Sequence, residues 1–161
     1  MNTKMCSKAL GGLAGIVALA LPFAAEARMV TVTTTLKKYS GDGAYVVVYI
    51  TDSQGRVHST LRVAGPKAKY HKHLSNWNRA AGAARRPLDG VTGASVGSGQ
   101  ILKVNVDLAD ALIDAGYQIR VDTAVENQRD VPSDVVAPLS KAVNGRTHPG
   151  AGYVQSLRID L

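Results

Sequence analysis

From residue 29 onward, apolar positions recur mostly in steps of two. Val30 and Val32 alternate with Thr31 and Thr33, which predicts a strand over 29–36. Ser40-Gly41-Asp42-Gly43 reads as a turn, and AYVVVYIT over 44–51 is the richest run of β-branched and aromatic residues, hence the best strand. Asp52-Ser53-Gln54-Gly55 is a hairpin-type turn returning into a second strand over 56–63. The period changes after Pro66. Tyr70, Leu74, Trp77 and Ala81 are spaced for one face of a helix over 68–82, which Arg85-Arg86-Pro87 would end. Residues 89–99 are Gly- and Ser-rich and loop-like. Alternation resumes at Leu102, Val104 and Val106 and again at Tyr117, Ile119, Val121 and Thr123, with a helical or turn connection over 108–115. Residues 127–150 hold Pro132, Pro138, Asn144-Gly145 and Pro149-Gly150. They read as a long polar loop with one helical turn over 139–143, before a last strand over 153–161. About six strands, one inserted helix, no internal repeat and no βαβ alternation predict a mainly β, antiparallel sandwich and argue against a doubly wound fold.

The first 27 residues fall outside this pattern. Lys4 and Lys8 precede an apolar run from Ala9 to Ala25, closed by the small-x-small site Ala25-Glu26-Ala27. That is the layout of a secretory signal, too short and too poorly flanked for a membrane span. The expectation is therefore an exported, periplasmic chain beginning near Arg28, with residues 28–161 as one domain and no integral membrane segment after cleavage. Cys6 is the single cysteine and leaves with the signal, which excludes disulfides, thiolate catalysis and Cys-based zinc sites from the mature chain. Setting Lys4, Lys8 and Glu26 aside from 19 basic and 12 acidic residues leaves 17 and 11, a net charge of +6. Such a balance suits anionic partners, although solubility alone also accounts for it. Export and the scarcity of stacking aromatics speak against nucleic acid.

The segment richest in candidate chemistry is Asp89-Gly90-Val91-Thr92-Gly93-Ala94-Ser95, with Ser98 three residues on. It resembles the motif on which the bacterial flavin transferase attaches FMN to a Ser or Thr hydroxyl through a phosphodiester. The resemblance implies Ser95 as the acceptor, with Asp89, Thr92, Gly93 and Ala94 as recognition elements. Such an acceptor needs an exposed, flexible loop. Gly93 and Ala94 remove bulk before it, backbone N–H groups of the loop can hold the phosphate, and Val91 and Val96 are placed to anchor the loop on the sheet. The same residues also suffice for a plain turn ahead of the next strand. In the flavin-bearing domains that carry this motif, moreover, it belongs to a flavin-cradling domain rather than to sandwich strands.

Over residues 29–161 the chain also resembles the exported bacterial family catalogued as domain of unknown function 2271. The resemblance rests, in order, on YVVVYITDSQGRVHSTLRV, KYHKHLSNW, DGVTGAS, DAGYQIRVDTAVENQRD and GAGYVQSLRIDL. It implies an immunoglobulin-like sandwich. It also implies company with flavin transferases and PepSY-type membrane proteins, and so a periplasmic accessory or electron-carrying role rather than that of an enzyme. Asn78 follows Trp77 where members of the family often carry a second aromatic, which weakens a stacking role there.

Three further groups keep other readings open. His71 and His73, with His58 and His148, are candidate metal ligands; two residues two apart point some 200° apart on a helix and cannot share one ion there, though they could in an extended segment. Trp77 and Tyr70 share a helical face that either packs as core or offers a stacking platform for an isoalloxazine ring. Lys67, Lys69, Lys72, Arg79, Arg85 and Arg86 make a basic stretch beside the Asp89 segment, either a solvated face or a contact for phosphate or an acidic partner. No G-x-S-x-G elbow supports hydrolysis. The alternatives to a flavin carrier are a non-redox binding or structural module and a His-based metal-binding protein.

Overall fold

The computed structural model describes residues 26–82 and 92–161. The expected signal segment, together with Arg85, Arg86, Pro87, Asp89 and Val91, lies outside them apart from its last residues. Among the described residues nine strands build two facing sheets: β1 (Ala27–Leu36), β2 (Tyr45–Thr51), β3 (Val57–Ala64), β4 (Thr92–Gly93), β5 (Ile101–Ala109), β6 (Gln118–Ala124), β7 (Asp130–Pro138), β8 (Thr147–Pro149) and β9 (Val154–Asp160). Their order is β5-β1-β9-β8 in one sheet and β4-β3-β2-β6-β7 in the other. Among these described strands the pairings are antiparallel except β3 with β4. The fold is the mainly β, immunoglobulin-like sandwich with an inserted helix that the alternation and the resemblance implied.

Between the sheets lies the main core. Val30, Val32 and Leu36 of β1, Val46, Val48 and Ile50 of β2, Ile119 and Val121 of β6 and Leu157 and Ile159 of β9 are all essentially inaccessible. β2 is buried along its entire length because its other face is covered too. There Tyr45, Val47 and Tyr49 meet Val63, Leu74, Trp77 and Ala81, a second apolar layer that roofs the five-stranded sheet. Trp77 is thus a core residue, 1% exposed, with its indole N–H donating to Thr60 Oγ1 at 2.9 Å. Fully burying a side chain of this size is worth about 3 kcal/mol or more before ordering costs.

The helix predicted as one piece over 68–82 is two. A 3₁₀ stretch, Ala68–His73, is separated from α1 (Ser75–Ala81) by Leu74 at φ −80, ψ 69. Helical spacing still carries Leu74, Trp77 and Ala81 inward. The break follows from two anchors on either side of it. His71 Nε2 lies 2.9 Å from the Gly65 carbonyl, and the Trp77 backbone N–H donates to Asp122 Oδ2 at 2.8 Å. Leu74 offers no side-chain cap, and this carboxylate from β6 serves α1 instead.

The largest correction concerns 127–150, which is not one long loop: β7 and β8 lie within it. β7 borders its sheet, where proline is tolerated because outward N–H groups need no ladder partner, so Pro132 and Pro138 fit. A register shift between Val121 and Thr123, with Ser133 at φ 48, bulges the strand and turns Asp134 inward. That 2% exposed carboxylate accepts from Thr123 Oγ1 (2.6 Å), Gly152 N–H (2.6 Å) and Val154 N–H (3.0 Å).

Candidate functional site

The chain around Ser95 is held more firmly than a flexible loop would be. Thr92 and Gly93 pair in parallel with Val63 and Ala64, and Gly65 N–H donates to the Gly93 carbonyl at 2.7 Å. Val96 then pairs with Ala44, exchanging hydrogen bonds of 2.7 and 2.9 Å. The Tyr39 hydroxyl clamps that bridge, donating to the Val96 carbonyl at 3.0 Å and accepting from Ala44 N–H at 2.9 Å. Burial pushes this hydroxyl's pKa up and so keeps it a donor. Val96 anchors the segment on the sheet, as expected of it. Ala94 and Ser95, between the two pinned points, take part in neither pairing.

Ala44 and Val96 both turn into the sandwich core, so Gly43, Tyr45 and Ser95 face the opposite side of the sheet. Ser95 is exposed, and among the described residues its Oγ has no hydrogen-bond partner. The space beside it exists because residue 43 is glycine: a Cβ there would stand 2.5 Å from Ser95 Oγ. Thr92 and Ala94 are exposed as well, and Gly93 is half-buried with the Arg62 guanidinium across its Cα. Ser98, the next hydroxyl, accepts from Tyr39 N–H at 2.7 Å.

On the face that carries Tyr45 and Ser95 lies a cavity of about 300 Å³, walled by Tyr45, Tyr70, His73, the Ala124–Gln128 segment and Asp130. Tyr45 and Tyr70 meet at 5.4 Å between ring centres and 54° between planes. The Tyr45 ring fits against the bare Cα of Gly65, which sits at φ +128. Burial raises the Tyr45 hydroxyl pKa, and Glu126, to which it donates at 3.3 Å, raises it further. Lys67 Nζ stands 3.8 Å from Glu126, and His73 Nδ1 is 3.0 Å from Asp130 Oδ2. Gln128 joins this wall to the Ser95 side, since its Nε2 donates to the Ser40 carbonyl at 2.5 Å and lies over Gly41, two residues before Gly43.

The remaining sequence candidates scatter. His71 is buried against Gly65, His73 lines the cavity, His58 stacks edge-on with Tyr117, and His148 is on β8. Among the described residues no three His, Cys, Asp or Glu side chains are grouped to hold a metal ion. Trp77 is roofed over as core, leaving Tyr70 as the accessible ring of the pair. Lys67 and Lys69 stand 5.6 and 4.8 Å from the Tyr70 ring centre, while Lys72 and Arg79 are exposed. Glu126, Gln128 and Tyr45 were not singled out by sequence. They come together only through the β2–β6 pairing, Tyr45 opposite Ala124, and the one local signal was the polar VENQRD stretch following a strand.

The fold and this arrangement describe a small β-sandwich with an open pocket and a free hydroxyl on one outer face. Residues 27–156 match the family described as "Predicted periplasmic protein (DUF2271)", and the chain belongs to that family. It is accordingly a periplasmic protein, and among the described residues no helix is long and apolar enough to cross a membrane. No curated protein and no solved structure matches the chain.

Proposed function

We propose that this periplasmic protein is an accessory carrier of covalently attached FMN in an extracytoplasmic electron-transfer system, with Ser95 as the acceptor. The observation that carries the reading is an exposed hydroxyl, free of hydrogen-bond partners among the described residues, next to a glycine that leaves it room. The residues present suit the group. Ala94 is small and exposed, and the backbone on either side is fixed by the β4 pairing and the Val96 bridge, so a second protein would meet a presented, not a collapsing, segment. In the attachment, Ser95 Oγ attacks the FMN-side phosphorus of a flavin dinucleotide bound to a flavin transferase. The new O–P bond replaces the bond to the AMP phosphate, AMP departs, and the hydroxyl proton goes to a base of the transferase. Once attached, flavin supplies reversible electron uptake, and the chain's part is to hold and shield it. Asp89, Thr92 and Gly93 serve the transferase as recognition elements. Lys67, Lys69, Lys72 and Arg79 give a PepSY-type membrane reductase a basic face to approach.

The second reading is a non-redox binding module. It is favoured by the pairing of Thr92 and Gly93 with β3, which gives the segment a purely structural task. Intact-mass measurement after coexpression with a flavin transferase separates the two. The carrier gains one FMN-phosphodiester mass that Ser95→Ala abolishes, whereas an unchanged mass leaves the binding module.

A further inference from the structure

We infer that the cavity bounded by Tyr45, Tyr70, His73 and Ala124–Gln128 is the seat of a flat heteroaromatic ring, and, resting on the carrier reading above, that this ring is the isoalloxazine of the flavin on Ser95. Position comes first. Ser95 and Tyr45 project from the same sheet face, opposite one another beside the antiparallel Ala44–Val96 bridge, and Gln128 spans from the cavity wall to the Ser40–Gly43 turn against which Ser95 lies. A ring tethered at Ser95 therefore has this cavity on its own face of the sheet.

Size and lining agree with such an occupant. About 300 Å³ is the lower end of small-molecule sites, suited to a ring system rather than to a complete dinucleotide. Tyr45 and Tyr70 are tilted by 54°, so they form a wedge in which a planar ring can stack on one phenol and meet the edge of the other. Ala124, on the same sheet face as Tyr45, gives one wall an apolar contact for the dimethylbenzene half. Asn127 brings a side-chain amide, with a donor and an acceptor, to match the alternating carbonyl and N–H groups of the pyrimidine half, and Gln128, bonded to the Ser40 carbonyl and the Tyr153 hydroxyl, braces the same wall. Tyr70 is held in place, with Lys69 at 4.8 Å from its ring centre and Tyr45 on its flank, while Tyr45 rests on Gly65.

The test uses full-length protein coexpressed with a flavin transferase and compares flavin emission and iodide quenching with those of free FMN. Seating against tyrosine quenches emission severalfold and blocks iodide. Tyr70→Ala and, independently, the surface variant Gln128→Ala restore both toward the free values while the attached FMN mass and far-UV circular dichroism stay unchanged. Attached flavin with the emission and iodide access of free FMN, or indifferent to both substitutions, overturns the seat and leaves the carrier standing. An unmodified mass in the wild-type chain overturns both.

Discussion

Asp122 is the residue on which the roof over the five-stranded sheet depends, and its removal has a calculable cost. The carboxylate is wholly inaccessible and accepts three hydrogen bonds: from the Tyr49 hydroxyl at 3.0 Å, Ser133 N–H at 2.8 Å and Trp77 N–H at 2.8 Å. Burial, reinforced by this carboxylate, pushes the Tyr49 hydroxyl pKa far up, so it stays a donor at any ordinary pH. Asp122→Ala takes the acceptor from all three donors in a place water does not reach. Each orphaned group costs about 1–3 kcal/mol, offset in part because a buried charge no longer needs desolvating. The net loss should be about 3–5 kcal/mol, a large share of the roughly 5–15 kcal/mol available to such a domain. Asp122→Asn keeps one carbonyl oxygen for Tyr49 and Ser133 but turns an NH₂ toward the Trp77 N–H, so it should cost about 1–3 kcal/mol. Urea unfolding followed by fluorescence of Trp77, the single tryptophan, measures both. A loss below about 1 kcal/mol for Asp122→Ala, or equal losses for the two variants, would refute the claim that this carboxylate ties the helix to the sheet.

Other substitutions probe the surroundings of the site. Gly65→Ala puts a Cβ into the Tyr45 ring at a backbone angle, φ +128, that side chains rarely adopt; urea midpoints should report a loss of about 2–4 kcal/mol. Gly43→Ala presses on the exposed Ser95 side chain, at 2.5 Å from its Oγ and 3.0 Å from its Cβ, so stability should change by less than about 1 kcal/mol, while FMN loading seen by intact mass falls severalfold. Arg28 binds both oxygens of Asp110, at 2.6 and 2.5 Å, and these hydrogen bonds, with the attraction of the charge, hold the Asp110 carboxyl below its usual range. A depressed folded-state pKa stabilises above the unfolded value, near 4, and that stability is lost as pH falls through the folded one. Asp110→Asn should therefore flatten the fall in stability below about pH 4 in urea titrations, and an unchanged slope would contradict the pairing's role.

What the sequence made legible was whatever is local. Alternation located β1, β2, β3, β5, β6 and β9 within a few residues, because each buries one face or both and its side chains state as much. β7 was hidden because its buried polar position, Asp134, finds partners in Thr123 and in the backbone of residues 152 and 154. Its prolines, moreover, are permitted only by an edge location that sequence does not reveal. The split helix was likewise illegible, since the group that serves α1 lies 45 residues away on β6. At the candidate site, Ser95 was singled out by its motif alone, whereas the cavity needed the pairing of β2 with β6 and the turn at Gly41 to bring Tyr45, Tyr70 and Gln128 into one place.

The central claim is that one hydroxyl, and not its neighbours, carries the flavin. Thr92, Ser95 and Ser98 all lie within seven residues and all are exposed, so peptide fragmentation of the flavin-bearing segment is the most direct measurement. The phosphodiester should be found on Ser95 alone. A flavin found on Thr92 or Ser98, or no flavin-bearing peptide from protein made beside an active transferase, would contradict it.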